Sequence, residues 1–394
     1  MSPLFVDHEK RGHSDFPAQF ELNRSERVEN RDVPFRSAVK VMIAGGGTGG
    51  HLYMGIALAR ELLRRRPECD FLFVGTRRGL ESRIVPREGF RLEYIVSAGL
   101  KGMGAFDLVR NLSLVPRSLW QSRRVVRSYN PDVVVGVGGY SSGPVLLAAW
   151  LLRKPTVILE PNAYPGLTNR LLARTVDLVA VAMPEAAPHL RGKAMVTGMP
   201  VRPEFNQLPP RPAGQNFTVL IYGGSQGSHA LNMIVCAALR DLKALTPKPS
   251  LIHQTGQRDL EMVKRAYEEA GVEGDVRPFL PCIYEEFGRA NLILSRAGAS
   301  TVAEIAAAGR AAILVPFPGA ADDHQTQNAR ALEKLGAARM ISEKDWAAGR
   351  LAREFRHFMQ HPEEITRMEE AARKAAKPDA AEKIADLVLS IHKH

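Results

Sequence analysis

The chain has 394 residues, of which 45% are hydrophobic and 24% charged, and a formal net charge of +11. That length exceeds one hydrophobic core, so two domains are expected, and the balanced composition excludes a fibrous or disordered chain. The positive charge suits an anionic partner (nucleic acid, a phosphorylated ligand or an acidic membrane surface) without choosing among them.

Residues 1–37 carry many charges of both signs and no apolar stretch, so they read as a flexible extension and not as a signal peptide. No apolar run reaches the ~18–20 residues of a membrane span. Cys69, Cys236 and Cys282 are scattered, without CxxC or Cys/His spacing. They indicate neither a disulfide framework nor a structural zinc, and suit a reducing cytosol.

The first ordered element is the apolar run Val39–Ala44, a strand, followed by Gly45-Gly46-Gly47-Thr48-Gly49-Gly50-His51 and a helical pattern through Arg66. Glycines there permit a tight turn and bring backbone N–H groups to an anion at a helix N-terminus. The spacing formally matches a dinucleotide fingerprint. However, the acidic ribose ligand expected after the second strand, Phe71–Val74, is replaced by Gly75-Thr76-Arg77-Arg78. His51 follows the turn as a candidate general base or acceptor-positioning group, or else a helix-end packing residue. Leu100–Arg127 interleaves Met103, Phe106, Leu108, Leu112, Leu114, Leu119 and Trp120 with Lys101, Arg110, Arg117, Arg123, Arg124 and Arg127. This suits either a helix lying on an anionic membrane or an ordinary amphipathic helix docked on a sheet.

Apolar strands recur at Val133–Val137, Thr156–Leu159 and Leu178–Val181. Two of them end in polar or glycine-rich turns, Gly138–Pro144 and Glu160–Asn169, where Asn162 can both donate and accept. Arg202 closes this half, placed to reach a phosphate. Pro203–Asn216 then loses all periodicity and reads as a linker.

The opening pattern repeats: strand Phe217–Tyr222, turn Gly223–Ser228 with Ser225, helix Ala230–Leu242. Strands follow at Ser250–His253, Leu292–Ser295 and Ala312–Pro316. Small residues after Ser295 leave room for a diphosphate, and Glu304 can accept from two vicinal ribose hydroxyls. The alternative for Glu304 is a helix N-terminal acid favoured by the dipole. His324-Gln325-Thr326-Gln327-Asn328 offers amides suited to sugar hydroxyls. Strands alternating with helices predict an α/β fold: two Rossmann-like, doubly wound parallel-sheet domains with a cleft between them. Their expected bounds are 38–202 and 203–375, with a last helix within 376–394 packing back on the first.

Gly46–His51, Gly138–Pro144, Asn162 with Pro165–Asn169, Thr197–Arg202, Gly223–Gly227, Ser295–Glu304 and His324–Asn328 occur in one order from about residue 39 to the end. In this ordered set the chain resembles the MurG family, the UDP-GlcNAc:lipid I N-acetylglucosaminyltransferases of bacterial peptidoglycan synthesis. It departs from the family at Leu159, Pro161 and Met199, and keeps Glu160, Asn162 and Arg202. The resemblance implies a GT-B fold, with UDP-GlcNAc held mainly by the second domain and the lipid-linked acceptor by the first. Donor contacts would fall to Arg202, Ser225, Leu280, Ala299, Ser300, Thr301, Val302, Ala303, Glu304 and Gln325. Thr48, Gly49, Gly50 and Asn162 would line the cleft.

The reaction expected is a single inverting displacement with His51 as base and Glu160 in reserve. No Asp-x-Asp occurs in the chain, so neither catalytic metal nor cofactor is expected. The expected partners are UDP-GlcNAc, undecaprenyl-diphosphate-linked lipid I and an anionic membrane surface, not nucleic acid. The expected location is peripheral, on the cytoplasmic face of the bacterial membrane. Two other readings are an NADP-linked oxidoreductase, with Arg77 and Arg78 on a 2′-phosphate, and a two-domain solute-binding protein without chemistry.

Overall fold

The computed structural model describes residues 38–392 apart from 47–48, 98–104, 212–215 and 225, and for 105–112 it describes the backbone alone. The extension expected over 1–37 lies outside the described residues. Seven strands form the first sheet: β1 (Lys40–Gly45), β2 (Asp70–Gly75), β3 (Arg91–Tyr94), β4 (Val133–Gly138), β5 (Thr156–Glu160), β6 (Leu178–Val181) and β7 (Ala194–Val196). Its helices are α1 (Gly49–Arg65), α2 (Glu81–Arg87), α3 (Ala105–Tyr129), α4 (Ser142–Leu151) and α5 (Leu167–Leu172). A short helix, α6 (Pro203–Asn206), opens the connection to the second sheet. That sheet has six strands: β8 (Thr218–Tyr222), β9 (Ser250–Gln254), β10 (Asp275–Arg277), β11 (Leu292–Ser295), β12 (Ala311–Leu314) and β13 (Ala338–Met340). Around it lie α7 (His229–Lys243), α8 (Leu260–Ala270), α9 (Ile283–Arg289), α10 (Ala299–Ala308), α11 (His324–Lys334), α12 (Arg350–Gln360) and α13 (Pro362–Ala375). The last helix is α14 (Ala380–Ile391).

Every neighbouring pair is parallel, in the orders β3-β2-β1-β4-β5-β6-β7 and β10-β9-β8-β11-β12-β13. Parallel strands need a crossover for each return, and the intervening helices supply it while covering both faces. Alternate side chains of one strand therefore enter different cores. Val41 and Ile43 pack with Leu52, Leu58 and Leu62 of α1, whereas Met42 and Ala44 meet Val145, Leu146 and Ala149 of α4. In the second sheet Val219 and Ile221 face α7, and Leu220 faces Phe287 and Ile305. Burial on both faces is why the central strands read as unbroken apolar runs. The edge strand β3, Arg91-Leu92-Glu93-Tyr94, is only half covered and shows no such run.

Both sheets reverse strand order once, between β1 and β4 and between β8 and β11. Open α/β sheets bind ligands outside the carboxyl ends of strands at such reversals, because the flanking loops part to opposite faces there. The Gly45–His51, Gly138–Pro144, Gly223–Ser228 and Ser295–Glu304 segments all leave these four strands.

The segment Pro203–Asn216, read as a featureless linker, begins instead with α6. Pro203 sets the first helical φ, and Phe205 is fully buried, its ring edge-on to Phe287 at 5.0 Å. A single buried aromatic thus fastens the start of this segment to the second core. The chain crosses between the domains again after α13. Gly198 (φ +87°) makes room for that crossing, since a Cβ there would lie 2.3 Å from the Lys377 Cβ. α14 then inserts Ile384, Ala385 and Val388 into the first-domain core beside α1.

Removing a buried branched side chain from this docking face loses its transfer energy and leaves a cavity. Ile384→Ala is expected to lower the free energy of unfolding by about 2–5 kcal/mol in denaturant titration. The exposed Glu382→Ala on the same helix should change it by less than about 0.5 kcal/mol. Equal effects would mean that α14 is not part of the first core.

Candidate functional site

The glycine turns of the first domain touch backbone to backbone. Gly139 has φ +79°, and a Cβ on it would stand 2.2 Å from the Gly46 carbonyl oxygen, so only glycine fits. His51, in the first turn of α1, lies over the same junction: a side chain on Gly138 would come within 2.9 Å of its imidazole. The ring hydrogen-bonds the Gly46 carbonyl. Burial, reinforced by His324 on α11, pushes the His51 pKa down to about 4. At neutral pH the ring is therefore uncharged and in the form that takes up a proton.

Across the cleft, α10 begins at Ala299 with no side-chain cap, and neither α1 nor α10 carries an acid in its first turn. The two helices meet closely: a Cβ on Gly50 would lie 3.3 Å from Ser300 Oγ. Ala299 and Ala303 pack against the first-domain core. Two helix N-termini, each a positive dipole end, thus converge on one place, and that of α10 has no side-chain cap. Such a place favours an anion.

What holds the seam is amide chemistry. Asn328 of α11 is fully buried. Its Oδ1 accepts from Ala163 N at 2.8 Å, and its Nδ2 donates to Asn162 Oδ1 at 3.2 Å and to Ala297 O at 3.1 Å. Asn162 is oriented in turn by Glu160, which ends β5 and is 2% exposed. Glu160 Oε1 accepts from Asn162 N (2.9 Å) and Nδ2 (3.1 Å), and Oε2 accepts from Gly166 N (3.2 Å) and Asn169 Nδ2 (2.8 Å). Burial raises the Glu160 pKa, opposed by these donors. With both oxygens engaged in shaping the 160–169 loop, Glu160 is a poorly placed reserve base.

Glu304 is the opposite case. It lies 3.9 Å from the Arg202 guanidinium, and its buried Oε2 has no hydrogen-bond partner. Burial pushes its pKa up to about 7, against the pull of Arg202. Arg202 is itself laid over the rings of Phe205 (5.0 Å) and Tyr284 (5.9 Å). The Gln325 carbonyl accepts from Ala297 N (3.3 Å) and Phe317 N (3.0 Å), so its amide nitrogen is the end left to donate. Leu280, Thr301 and Val302 are buried, with Leu280 and Val302 in the second core; these positions can offer a ligand backbone more readily than side chain. Thr48 and Ser225 lie outside the described residues. Gly49 and Gly50 open α1 at the seam.

Sequence reasoning noted the stretch that contains Asn328 but did not single the residue out. It also passed over Arg296, whose Nε donates to Ser228 Oγ (2.8 Å) and whose Nη1 donates to the Val315 and Pro316 carbonyls (both 3.1 Å). Their common feature is a polar side chain at a strand or helix end that folding buries, which no local pattern reveals.

Residues 41–181 match the glycosyltransferase family 28 N-terminal domain and residues 218–384 its C-terminal domain. A protein of Anaeromyxobacter sp. (strain Fw109-5) is 50% identical over 352 residues, 89% of this chain and 92% of its own length. One of Myxococcus xanthus (strain DK1622) is 44% identical over 356 residues, 90% of this chain and 93% of its own. Both are named UDP-N-acetylglucosamine--N-acetylmuramyl-(pentapeptide) pyrophosphoryl-undecaprenol N-acetylglucosamine transferase. The crystal structure of Acinetobacter baumannii MurG superposes with a TM-score of 0.73 at 31% identity, covering 89% of this chain and 99% of that one. The chain belongs to glycosyltransferase family 28, as a member of its MurG group.

Proposed function

We propose that this protein transfers GlcNAc from UDP-GlcNAc to the C4 hydroxyl of MurNAc in lipid I, giving lipid II and UDP. The observation that carries the assignment is the pairing of two anion-favouring helix N-termini with Glu304, a carboxylate beside Arg202 whose buried Oε2 has no hydrogen-bond partner. A nucleoside diphosphate has both complements: charge for the helix ends and a vicinal diol for the carboxylate. An NADP-linked oxidoreductase draws no support from the family comparison, and a non-catalytic binding protein gives a neutral histidine at the seam no task.

His51 accepts the proton of the acceptor hydroxyl as its oxygen attacks the anomeric carbon of GlcNAc. The bond from that carbon to the diphosphate oxygen breaks on the opposite side, which inverts the centre, and UDP leaves. Charge growing on the diphosphate is stabilised by the N-terminus of α10, whose N–H groups are already aimed and need no reorganisation. A bound diphosphate places negative charge in the cleft, which favours the protonated ring and acts against the lowering by burial.

A prenyl-linked acceptor stays in the bilayer, so the enzyme must work at its surface, here the cytoplasmic face. Among the described residues no helix is long and apolar enough to cross a membrane. α3 offers the docking face. Ser118, Ser122 and Val126 are buried, leaving Trp120 62% exposed and Arg117, Arg123, Arg124 and Arg127 outward. Leu119, read earlier as part of the outward apolar face, turns toward the first core. Met103 lies outside the described residues, and for Phe106, Leu108, Arg110 and Leu112 only the backbone is described. Each cation near an anionic surface contributes about 1 kcal/mol, and salt screens it.

The decisive assay is transfer of labelled GlcNAc from UDP-GlcNAc, with UDP-Glc and UDP-GalNAc as controls, to a lipid I analogue. In it His51→Ala should lose about 10²–10⁴-fold in turnover while binding UDP as the parent does. Unchanged turnover would reduce His51 to a packing residue. Calorimetry tests the second domain, where Glu304→Ala should weaken UDP about ten- to a hundredfold. Because the ionised carboxylate accepts the ribose hydroxyls and its pKa stands near 7, affinity should rise with pH toward about 8 and fall below 7. Glu304→Gln should flatten that dependence; a parent with equal affinity at pH 6 and 8 would refute the assignment. For the membrane, parent protein should cosediment with phosphatidylglycerol vesicles at low salt and be released at high salt. A variant with Arg117, Arg123, Arg124 and Arg127 changed to Gln should remain in solution, and equal partition of the two would dismiss α3 as the docking face.

A further inference from the structure

Behind the glycine turn of the second domain runs a line of buried polar side chains that the reaction above does not use. Asn232, near the start of α7, is 1% exposed and His253, on β9, is wholly buried. Tyr267 of α8 is buried beside them, and Asp259, just ahead of α8, stands at the rim. A buried asparagine early in a helix competes with the backbone and costs stability unless its amide is fully bonded.

Here the bonding admits one arrangement. Asn232 Nδ2 lies 2.9 Å from the Thr255 carbonyl and 2.9 Å from Asp259 Oδ2. Burial works against ionisation of Asp259, but hydrogen bonds from Asn232 and His229 keep its pKa below the ordinary value. Both of these partners therefore only accept, and both amide hydrogens are committed. Asn232 Oδ1 must accept, and the donor is the Nε2–H of His253 at 3.0 Å. His253 Nδ1, without a proton, then accepts from the Tyr267 hydroxyl at 3.2 Å. Burial holds this ring neutral, its pKa pushed down to about 3. The amide cannot flip without facing two acceptors with its oxygen.

The line ends on Thr255, and Thr255 is the floor of the glycine turn. A Cβ on Gly227 (φ +76°) would stand 2.0 Å from the Thr255 carbonyl oxygen, and one on Gly256 would stand 2.1 Å from that of Gln226. The turn, closed by Gly227 N donating to Gly224 O at 2.9 Å, therefore rests backbone on backbone upon residues 255–256. Thr255 N and Gly256 N donate to the Arg277 and Pro278 carbonyls, which carries the same constraint toward Leu280.

We propose that Asn232 and His253 are positioning residues of the donor site. By fixing the Thr255 carbonyl they set the height of the glycine turn, and with it the backbone N–H groups that meet the nucleotide diphosphate. The assignment rests on the second domain being the donor domain. Neither residue touches the donor; both act through Thr255.

The test combines UDP calorimetry with steady-state kinetics on UDP-GlcNAc and a lipid I analogue, for the parent, Asn232→Ala, His253→Phe, His253→Gln and Asp259→Asn. In Asn232→Ala and His253→Phe, the Kd for UDP and the KM for UDP-GlcNAc should rise about tenfold or more. The acceptor KM should stay near the parent value. His253→Gln should recover most of the affinity, since its amide can donate to Asn232 and accept from Tyr267. Asp259→Asn keeps an acceptor oxygen but removes its charge, so it should weaken the Asn232 bond and raise the UDP Kd by a smaller factor in a variant that leaves the core intact. UDP affinity near that of the parent in the folded variants overturns the proposal. So does a loss shared equally by the acceptor, or one that His253→Gln does not restore. A parent that binds no UDP would instead sink the donor-domain reading, whereas a parent that binds UDP no better than its variants sinks only this assignment.

Discussion

Two helix N-termini of like polarity do not come together unless something holds them, and here that something is Asn328. Its one amide takes a backbone hydrogen bond from the first domain and returns two, one across the seam to Asn162 and one to Ala297 at its own domain's edge. Fully buried, its bonds count for more than those of an exposed amide, because they form in a seam from which water is excluded. The approach of Gly50 to Ser300, and the placing of His51 opposite His324, follow from this seam. Arg170 and Asp322, 3.7 Å apart, add a weaker and partly solvated pair beside it.

The site runs on two carboxylates with contrasting surroundings. Glu160 is surrounded by N–H donors that saturate both its oxygens, so it behaves as a structural acceptor that shapes a loop. Glu304 is buried with one oxygen unmet and a single cation at 3.9 Å, so its charge is held in reserve. A ligand that supplies hydroxyl donors relieves Glu304 and has nothing to offer Glu160. Residue type alone would make the two interchangeable; their bonding separates them, one saturated by its own loop and the other with an oxygen left without a hydrogen-bond partner.

The same division runs through the histidines. His51 and His253 are both held neutral chiefly by burial. His51 stands at the seam, where a proton can be delivered to it. His253 is enclosed between Tyr267 and Asn232, where its value lies in a fixed direction of hydrogen bonding. Buried polar lines of this kind are costly when partly satisfied and rigid when complete, which suits the floor beneath a glycine turn.

How much of this was legible beforehand depends on the reach of each interaction. Val133–Gly138 and Leu292–Ser295 announce themselves because a strand covered on both faces must be apolar throughout. The glycine turns are equally plain, since a chain that turns at Gly139 or Gly227 against another backbone leaves no space for a Cβ. Sequence by itself therefore determined the alternation of strand and helix, the two modules, the turns at the switch points and the family. It missed β3, β7, β10 and β13, the edge strands, too short and too partly covered to read as apolar runs, and α6, where a lone buried phenylalanine outweighs the prolines around it. Tertiary structure alone decided that Asn328 joins the domains, that Glu160 is spent on its own loop and that Leu119 turns inward. Each of these rests on partners scores of residues away or on which face folding happens to bury, and neither propensity nor local spacing carries that information.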